Sequence, residues 1–159
     1  MQNAGPITAL LTLNAQNEAP AFFVDNAPDA AQQILHEHFG EQLMEYVIMP
    51  DHLHVLFRCK TMHHANIESM NLQQKLTDAI QSIRDEGLTP FLLFPGDIED
   101  SRAYIVQNPI RSGLTSCVED YPWSSASRFE KRLKHVQAVR QYEVHDRLQQ
   151  KTFPDQHGE

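Results

Sequence analysis

Two apolar segments separated by only two residues restrict the fold of this chain more than any other feature. Gln42 to Met49 is rich in large apolar side chains, and His52 to Phe57 begins by alternating histidine with apolar residues. Between them lies Pro50-Asp51, a pair typical of tight corners. Two strands joined by so short a connection are antiparallel neighbours in one sheet. The sequence therefore predicts an antiparallel hairpin.

The residues before this hairpin predict a strand followed by a helix. Ile7 to Leu13 is β-branched and apolar, as expected of a strand. Apolar residues then recur at helical spacing up to Phe39, after a capping position at Asp25 or Asn26. Gly40 provides the stop for this helix.

The residues after the hairpin predict two more helices and a short strand. Met62 to Arg84 has helical spacing, Pro90 to Phe94 is a short apolar strand candidate, and Asp97 caps a helix that reaches Gln107. We expect this last helix to stop near Pro109, because proline disfavours helix at the residue before it. The order of elements predicts an α+β sandwich, with helices mainly on one face of a central antiparallel sheet.

Composition indicates a single globular domain. The chain has 159 residues, of which 41% are hydrophobic, and this suits one domain with its own core. No apolar run approaches the roughly 18 residues that span a bilayer. The N-terminal residues lack the basic start and long apolar stretch of a secretory signal. We therefore expect a soluble cytoplasmic protein.

Charge is unevenly distributed along the chain. The formal net charge is −8, and residues 1–57 contain no lysine or arginine. This excludes a protein that coats nucleic acid through nonspecific charge. Basic residues predominate between 128 and 151, which predicts a C-terminal arm over 128–159, helical and then disordered, after the main domain over 1–127. Such an arm is either a phosphate contact or a solvated helix face.

His52 and His54 are the first candidate site residues. Residues two apart on a strand point to the same face, with Cα atoms about 7 Å apart, so both imidazoles can converge on one metal ion. Leu53, Val55 and Phe57 point the other way and can join the core. A bare His-x-His pair is more often two surface or hydrogen-bonded histidines, and the chain has nine histidines. The pair therefore needs further ligands to define a site.

Tyr104 and Asn108 supply candidates for the rest of the site. They are four residues apart on a predicted helix and therefore share a face. The Asn108 side chain offers a neutral oxygen to a hard divalent cation. A phenol one turn away can act as a covalent nucleophile toward a phosphate that such a cation polarises. Taken alone, a tyrosine on a helix is more often a packing residue.

Two blocks of sequence resemble one protein family. Residues 46–57, YVIMPDHLHVLF, resemble the His-hydrophobe-His strand of the single-tyrosine transposases of small insertion sequences. Residues 104–114, YIVQNPIRSGL, followed by 119–125, EDYPWSS, resemble the tyrosine-helix block of the same family. Within that family, the blocks look most like the REP-associated tyrosine transposases.

The resemblance implies a fold, a substrate and a mechanism. The fold would be a ferredoxin-like sandwich, and the substrate single-stranded DNA, often folded as a hairpin. Tyr104 would attack a backbone phosphorus and leave a 5′-phosphotyrosine link and a free 3′-hydroxyl. His52, His54 and Asn108 would hold Mg²⁺ or Mn²⁺. A second transesterification would rejoin strands without ATP, and the protein would act as a monomer or a homodimer.

One segment departs from the family pattern and leaves an alternative open. Members of this branch carry a strand that begins Phe-Trp-Gln, with several basic residues, where residues 88–97 here are apolar. The candidate DNA contacts are therefore few: Arg58, Lys60, Arg102, Arg111, Arg128, Lys131 and Arg132. The alternative is a domesticated protein that binds DNA hairpins without cutting them. A metal-binding structural protein without a nucleic-acid role is the third hypothesis.

Overall fold

A computed structural model of the chain describes residues 5–130. Four strands and four α-helices lie within this range. In chain order they are β1 (Ile7–Ala15), α1 (Ala27–Phe39), β2 (Leu43–Ile48), β3 (His52–Cys59), α2 (Met62–Ala79), α3 (Gln81–Glu86), β4 (Leu88–Leu93) and α4 (Ile98–Arg111). None of the described helices is both long and apolar enough to cross a membrane.

The four strands form one sheet in the order β2-β3-β1-β4, and every neighbouring pair is antiparallel. The predicted hairpin is confirmed as β2 and β3, with a corner at Pro50 and Asp51. The first and last strands of the β1-α1-β2-β3-α2-β4 order pair with each other, and α1 and α2 are the crossovers. The predicted α+β, ferredoxin-like sandwich is therefore confirmed.

The two faces of the sheet have different cores. On one face, side chains of β1 and β3 such as Leu11, Leu53 and Val55 pack against α1, α2 and α3. On the other face, a smaller cluster that includes Leu56 of β3 packs against Ile105 of α4. Because successive side chains of a strand point to opposite faces, His52 and His54 share the face of Leu56. Helix α4 therefore lies on the histidine side of the sheet.

The predicted single helix over 62–84 is wrong at Ile80. This residue is extended, with φ −121° and ψ 111°, and its buried side chain separates α2 from α3. The end of α2 leaves backbone carbonyls without helical partners. The Arg84 guanidinium donates hydrogen bonds to two of them, on Thr77 and Asp78. These hydrogen bonds give the Thr77 and Asp78 carbonyls partners at the end of α2. The change of chain direction places the Ile80 side chain in the core.

The prediction that the last helix stops near Pro109 is also wrong, because α4 continues to Arg111. Pro109 lies in the last turn, where it removes only one backbone hydrogen bond. Its ring is buried together with Ile105 and Asn108. Packing against the sheet therefore outweighs the local preference of the residue before proline.

The predicted boundary between domain and arm remains a prediction. Residues 131–159, which include most of the predicted arm, lie outside the described residues. Glu130 is buried, and its carboxylate accepts a hydrogen bond from the Tyr46 hydroxyl at 2.7 Å. Contacts with the body of the domain therefore extend at least to Glu130.

Candidate active site

His52 and His54 project side by side from β3 toward α4. Their ring centres are 4.7 Å apart, and the rings meet edge to face. His54 is the more enclosed of the two, with 8% of its surface exposed. The two imidazoles form the sheet side of a candidate site that α4 covers from the other side.

Asp51 fixes the orientation of His52. Its carboxylate oxygen lies 2.7 Å from His52 Nδ1. A carboxylate only accepts hydrogen bonds, so Nδ1 must carry a proton, and the neutral ring then presents a lone pair at Nε2. From the sequence, Asp51 is explained by the corner alone. The structure adds the contact between Asp51 and His52 Nδ1. The only indication of this contact in the sequence is that the two residues are adjacent.

Thr12 is the oxygen partner of His54, as Asp51 is of His52. Its hydroxyl oxygen is 2.7 Å from His54 Nδ1. The two residues are direct partners in the pairing of β1 with β3. With Nδ1 engaged in this way, Nε2 of His54 is free of hydrogen bonds from residues 5–130 and can act as a ligand atom. Sequence reasoning missed Thr12, and only the strand register reveals it.

Asn108 reaches His52 from α4. Its side-chain nitrogen is 3.1 Å from Nε2 of His52, and its oxygen accepts a hydrogen bond from the Ser112 hydroxyl at 3.3 Å. Only 7% of Asn108 is exposed. The amide nitrogen donates to the His52 lone pair here, and a half-turn of the amide exchanges nitrogen and oxygen.

Tyr104 lies one turn before Asn108, at the open edge of the site. Its ring centre is 5.7 Å from that of His54, and 53% of the residue is exposed. The Arg111 guanidinium carbon stands 4.3 Å above the centre of the tyrosine ring, within the range of a cation–π contact. Arg111 also donates a 2.6 Å hydrogen bond to the Tyr104 carbonyl. The Tyr104 ring thus packs against His54 and Arg111, while about half of the residue remains exposed to solvent.

The environment of His54 keeps its imidazole neutral. Burial lowers its pKa to about 4, and the electrostatic interactions with His52 and with the Arg111 guanidinium act in the same direction. A neutral imidazole is the form that binds a metal ion. His54 therefore remains ready to act as a ligand throughout the physiological pH range.

The donor set at this site fits a divalent cation. The two imidazole rings lie 4.7 Å apart, the Asn108 amide contacts Nε2 of His52, and each imidazole has an oxygen partner on its Nδ1. No cluster of three or more histidine, cysteine or acidic side chains within residues 5–130 is arranged as a metal site. A metal held by His52 and His54 therefore depends on the neutral Asn108 amide for a third protein ligand.

Comparison with known proteins identifies the fold. No protein-family model matches the chain, and no curated protein matches it. A solved REP-associated tyrosine transposase bound to a REP hairpin is 15% identical, with a TM-score of 0.59 over 79% of each chain. A putative transposase from Deinococcus radiodurans R1 is 16% identical, with a TM-score of 0.50 over 74% of this chain and 97% of that one. The chain shares its fold with these transposases.

The candidate DNA contacts are spread unequally around this transposase-like fold. Arg111 lies at the site, against Tyr104. Arg58 is exposed on β3, on the histidine face, and Lys60 is exposed just beyond the end of that strand. Arg111 therefore borders the site, and Arg58 lies further along the same face of β3.

Two other candidates are paired with carboxylates. Arg102 on α4 contacts Glu45 at 3.0 Å and Glu99 at 3.6 Å. Arg128 forms an ion pair with Asp120. Their charges are thus partly neutralised within the domain. The remaining two, Lys131 and Arg132, lie outside the described residues.

Proposed function

We propose that this protein is a metal-dependent enzyme that nicks and joins single-stranded DNA through a 5′-phosphotyrosine intermediate. The observation that carries the proposal is the position of an accessible phenol, that of Tyr104, against the His54 ring of a two-histidine and amide site. A nucleophile beside a prospective divalent-cation site is the arrangement that phosphoryl transfer to a side chain requires.

Tyr104 supplies the nucleophilic oxygen. Its phenol oxygen would form a bond to a backbone phosphorus while the bond from phosphorus to the 3′-oxygen breaks. The phenol proton is released and the departing oxygen gains one, so the products are a tyrosyl 5′-phosphodiester and a free 3′-hydroxyl. Attack by a 3′-hydroxyl on this diester regenerates the phenol and joins strands. The bond count is conserved, so the cycle needs no ATP.

The neighbours of Tyr104 have separate tasks in this proposal. His52, His54 and Asn108 would hold Mg²⁺ or Mn²⁺. When bound, that ion polarises a phosphate oxygen. Arg111 would position the Tyr104 ring and add a positive charge next to the incoming phosphate.

The structural neighbour suggests the form of the DNA. That REP-associated tyrosine transposase is bound to a REP hairpin. We therefore propose a DNA hairpin with unpaired flanking nucleotides as the substrate class.

The test is formation of a covalent protein–DNA adduct. Full-length protein would be incubated with Mn²⁺ and labelled hairpin DNA from its own genomic neighbourhood, and the products separated on a denaturing gel. We expect an adduct that disappears in Tyr104→Phe and in reactions with EDTA. An adduct that persists in Tyr104→Phe would assign the nucleophile to another residue.

Tyr121→Phe is the matched control. Tyr121 is 4% exposed, and its hydroxyl donates to the Ile48 carbonyl. A buried tyrosine cannot reach DNA, so this variant should form adduct as the wild type does. Circular dichroism of all variants would establish that they are folded.

A second candidate function is hairpin binding without cleavage. The pairing of Arg102 with Glu45 and of Arg128 with Asp120 favours it, because both reduce the charge available to phosphates. This candidate predicts salt-sensitive hairpin binding that depends on residues 128–159, with no adduct at any metal concentration. The appearance of a Tyr104-dependent adduct would exclude it.

A further inference from the structure

The face of the sheet that carries the candidate site is only partly covered. On this face α4 packs mainly over β2 and β3. At the edge of the sheet beyond β1, strand β4 has large exposed side chains, with Phe91 59% exposed and Leu93 37% exposed. Exposed apolar side chains that lie together mark a surface where another molecule binds.

Strand pairing places Phe91 in line with the site. Phe91 is the direct partner of Thr12, and Thr12 is the direct partner of His54. Direct partners project to the same face, and neighbouring strands are about 4.8 Å apart. Phe91 therefore lies on the His54 side of the sheet, with a backbone separation of roughly 10 Å.

A second row of residues runs beside the first. His52, Asn14 and Thr89 are successive partners across the same three strands. A cleft of about 480 Å³ opens at this row, and four of its seven lining residues carry an amide or a hydroxyl: Asn14, Gln16, Asn17 and Thr89. Amides and hydroxyls offer both donors and acceptors, as the edge of a nucleobase does.

The charges at this surface disfavour a phosphate there. Residues 1–57 and 88–93 contain no lysine or arginine. The cleft contains the carboxylates of Glu18 and Asp51. A nucleic acid can gain affinity here through its bases, because stacking on an aromatic ring does not require a positive charge.

The sheet edge also disfavours a protein strand as the occupant. Among the described residues, β4 lies at the edge of the sheet. It contains Pro90, which lacks a backbone N–H. Proline at an edge strand opposes pairing with a further strand. The exposed face of Phe91 is thus better suited to a flat ring than to added backbone.

We propose that Phe91 is a stacking platform for an unpaired DNA base next to the phosphate that Tyr104 attacks. The edge of that base faces Asn14 and Thr89. This inference rests on the proposed function and adds to it a residue that binds the single strand. It also explains how a chain with few basic residues holds DNA near its nucleophile.

The experiment measures DNA affinity and adduct formation in the same set of variants. The probe is a fluorescent DNA hairpin pool with randomised unpaired flanks, titrated with full-length protein by anisotropy. We expect Phe91→Ala to bind about 5- to 150-fold more weakly. Phe91→Trp should restore binding, and Phe91→Leu, which keeps apolar bulk, should not. Met70→Ala, a similarly exposed side chain on α2, is the control and should bind as the wild type does.

Removal of the base provides the complementary measurement. Abasic sites would be placed at each unpaired position in turn. An abasic site at one of these positions should weaken binding to the wild type as much as the Phe91→Ala substitution does. The same abasic site should cause no further loss of affinity in Phe91→Ala. Additive losses at every position would overturn the stacking contact.

The outcomes separate this inference from the proposed function. If Phe91→Ala binds DNA and forms the Tyr104 adduct as the wild type does, the stacking platform is wrong and the proposed function stands. If wild-type protein neither binds the hairpin pool nor forms an adduct with the genomic hairpins, both fail. A wild-type dimer that becomes monomeric in Phe91→Ala would assign this surface to a second copy of the chain and overturn the inference.

Discussion

The hydroxyl of Thr12 lies 2.7 Å from Nδ1 of His54, across a strand pair in which the two residues are direct partners. A carboxylate oxygen of Asp51, the preceding residue in the chain, lies 2.7 Å from Nδ1 of His52. Each imidazole therefore has its Nδ1 next to an oxygen, which leaves Nε2 as the nitrogen that can bind a metal ion. In metal sites, such oxygen partners fix the histidine tautomer and orient the ring.

Replacing Thr12 should weaken metal binding without removing a ligand. In Thr12→Val the side chain keeps its shape but loses the oxygen that faces His54. We expect the affinity for Mn²⁺ to fall by about 10- to 100-fold, the usual effect of losing such a partner. Titration of the protein with Mn²⁺, followed by electron paramagnetic resonance, measures this affinity.

Thr12→Ser is the matched control. It retains the hydroxyl and should bind Mn²⁺ nearly as well as the wild type does. If Thr12→Val also binds like the wild type, the Thr12 hydroxyl does not orient His54 for a metal.

Stability should fall as the pH drops below 6.5, because of His54. Burial lowers its pKa in the folded state to about 4, against 6.5 in an unfolded chain. Between these values the unfolded state binds the extra proton, so the free energy of unfolding decreases as the pH falls and levels off below about 4. The full difference amounts to about 3 kcal/mol.

Urea unfolding with EDTA present, near pH 7 and near pH 4, measures this effect. Carboxylates titrate in the same range, so the wild type must be compared with His54→Asn, which cannot titrate at this position. The wild type should lose about 3 kcal/mol more unfolding free energy than the variant over this interval. Equal losses in the two proteins would show that His54 is not protected from protonation.

Arg111 should affect the reaction more than DNA binding. Arg111→Lys keeps the charge but loses the planar group that covers the Tyr104 ring. We expect adduct formation to slow by roughly 3- to 30-fold, in line with a cation–π contact of about 0.5–2 kcal/mol. Hairpin affinity should be nearly unchanged. Single-turnover adduct kinetics and anisotropy measure the two quantities.

Arg102→Lys serves as the comparison on the same helix. Its guanidinium contacts Glu45 and not Tyr104, so the adduct rate should stay at the wild-type value. If Arg111→Lys instead lowers hairpin affinity and leaves the rate unchanged, Arg111 contacts DNA rather than positioning the nucleophile.

Local periodicity was sufficient to predict which candidate residues share a face. Side chains alternate along a strand, so His52 and His54 had to project together. Helical spacing did the same for Tyr104 and Asn108. The hairpin also followed from local sequence, because two strands joined by so short a connection can only pair antiparallel. These features depend only on residues that are near one another in the chain.

The oxygen partner from β1 could not be predicted in this way. It depends on the register of β1 against β3, which is set by the whole buried face of the sheet. A shift of two residues would keep the same side chains buried and place Leu10 or Asn14, instead of Thr12, opposite His54. The exposed position of Phe91 likewise depends on which strands α4 covers. Contacts between distant segments decide both.

Helix ends were predicted poorly for a related reason. Ile80 interrupts a helical pattern because its side chain fits the core when the chain turns there. Pro109 fails to end α4 because its ring is buried against the rest of the domain. In both places tertiary packing outweighs a local preference of about 1–3 kcal/mol.

Removing the Tyr46 hydroxyl should destabilise the domain. Tyr46 is fully buried, donates a 2.7 Å hydrogen bond to the Glu130 carboxylate and accepts one from Gln32 at 2.8 Å. Hydrogen bonds to a charged group contribute about 1.5–3 kcal/mol, against about 1 kcal/mol for neutral pairs. Tyr46→Phe should therefore lower the unfolding free energy by about 2–3 kcal/mol in urea unfolding.

Tyr121→Phe is the matched change for this prediction, because its buried hydroxyl donates to a neutral carbonyl, that of Ile48. It should lower the unfolding free energy by only about 1 kcal/mol. Equal losses in the two variants would mean that the Tyr46 hydroxyl gains nothing from the charge of Glu130. The larger loss expected in Tyr46→Phe has two sources, because this variant removes the hydrogen bond to the charged Glu130 carboxylate and also the one from Gln32.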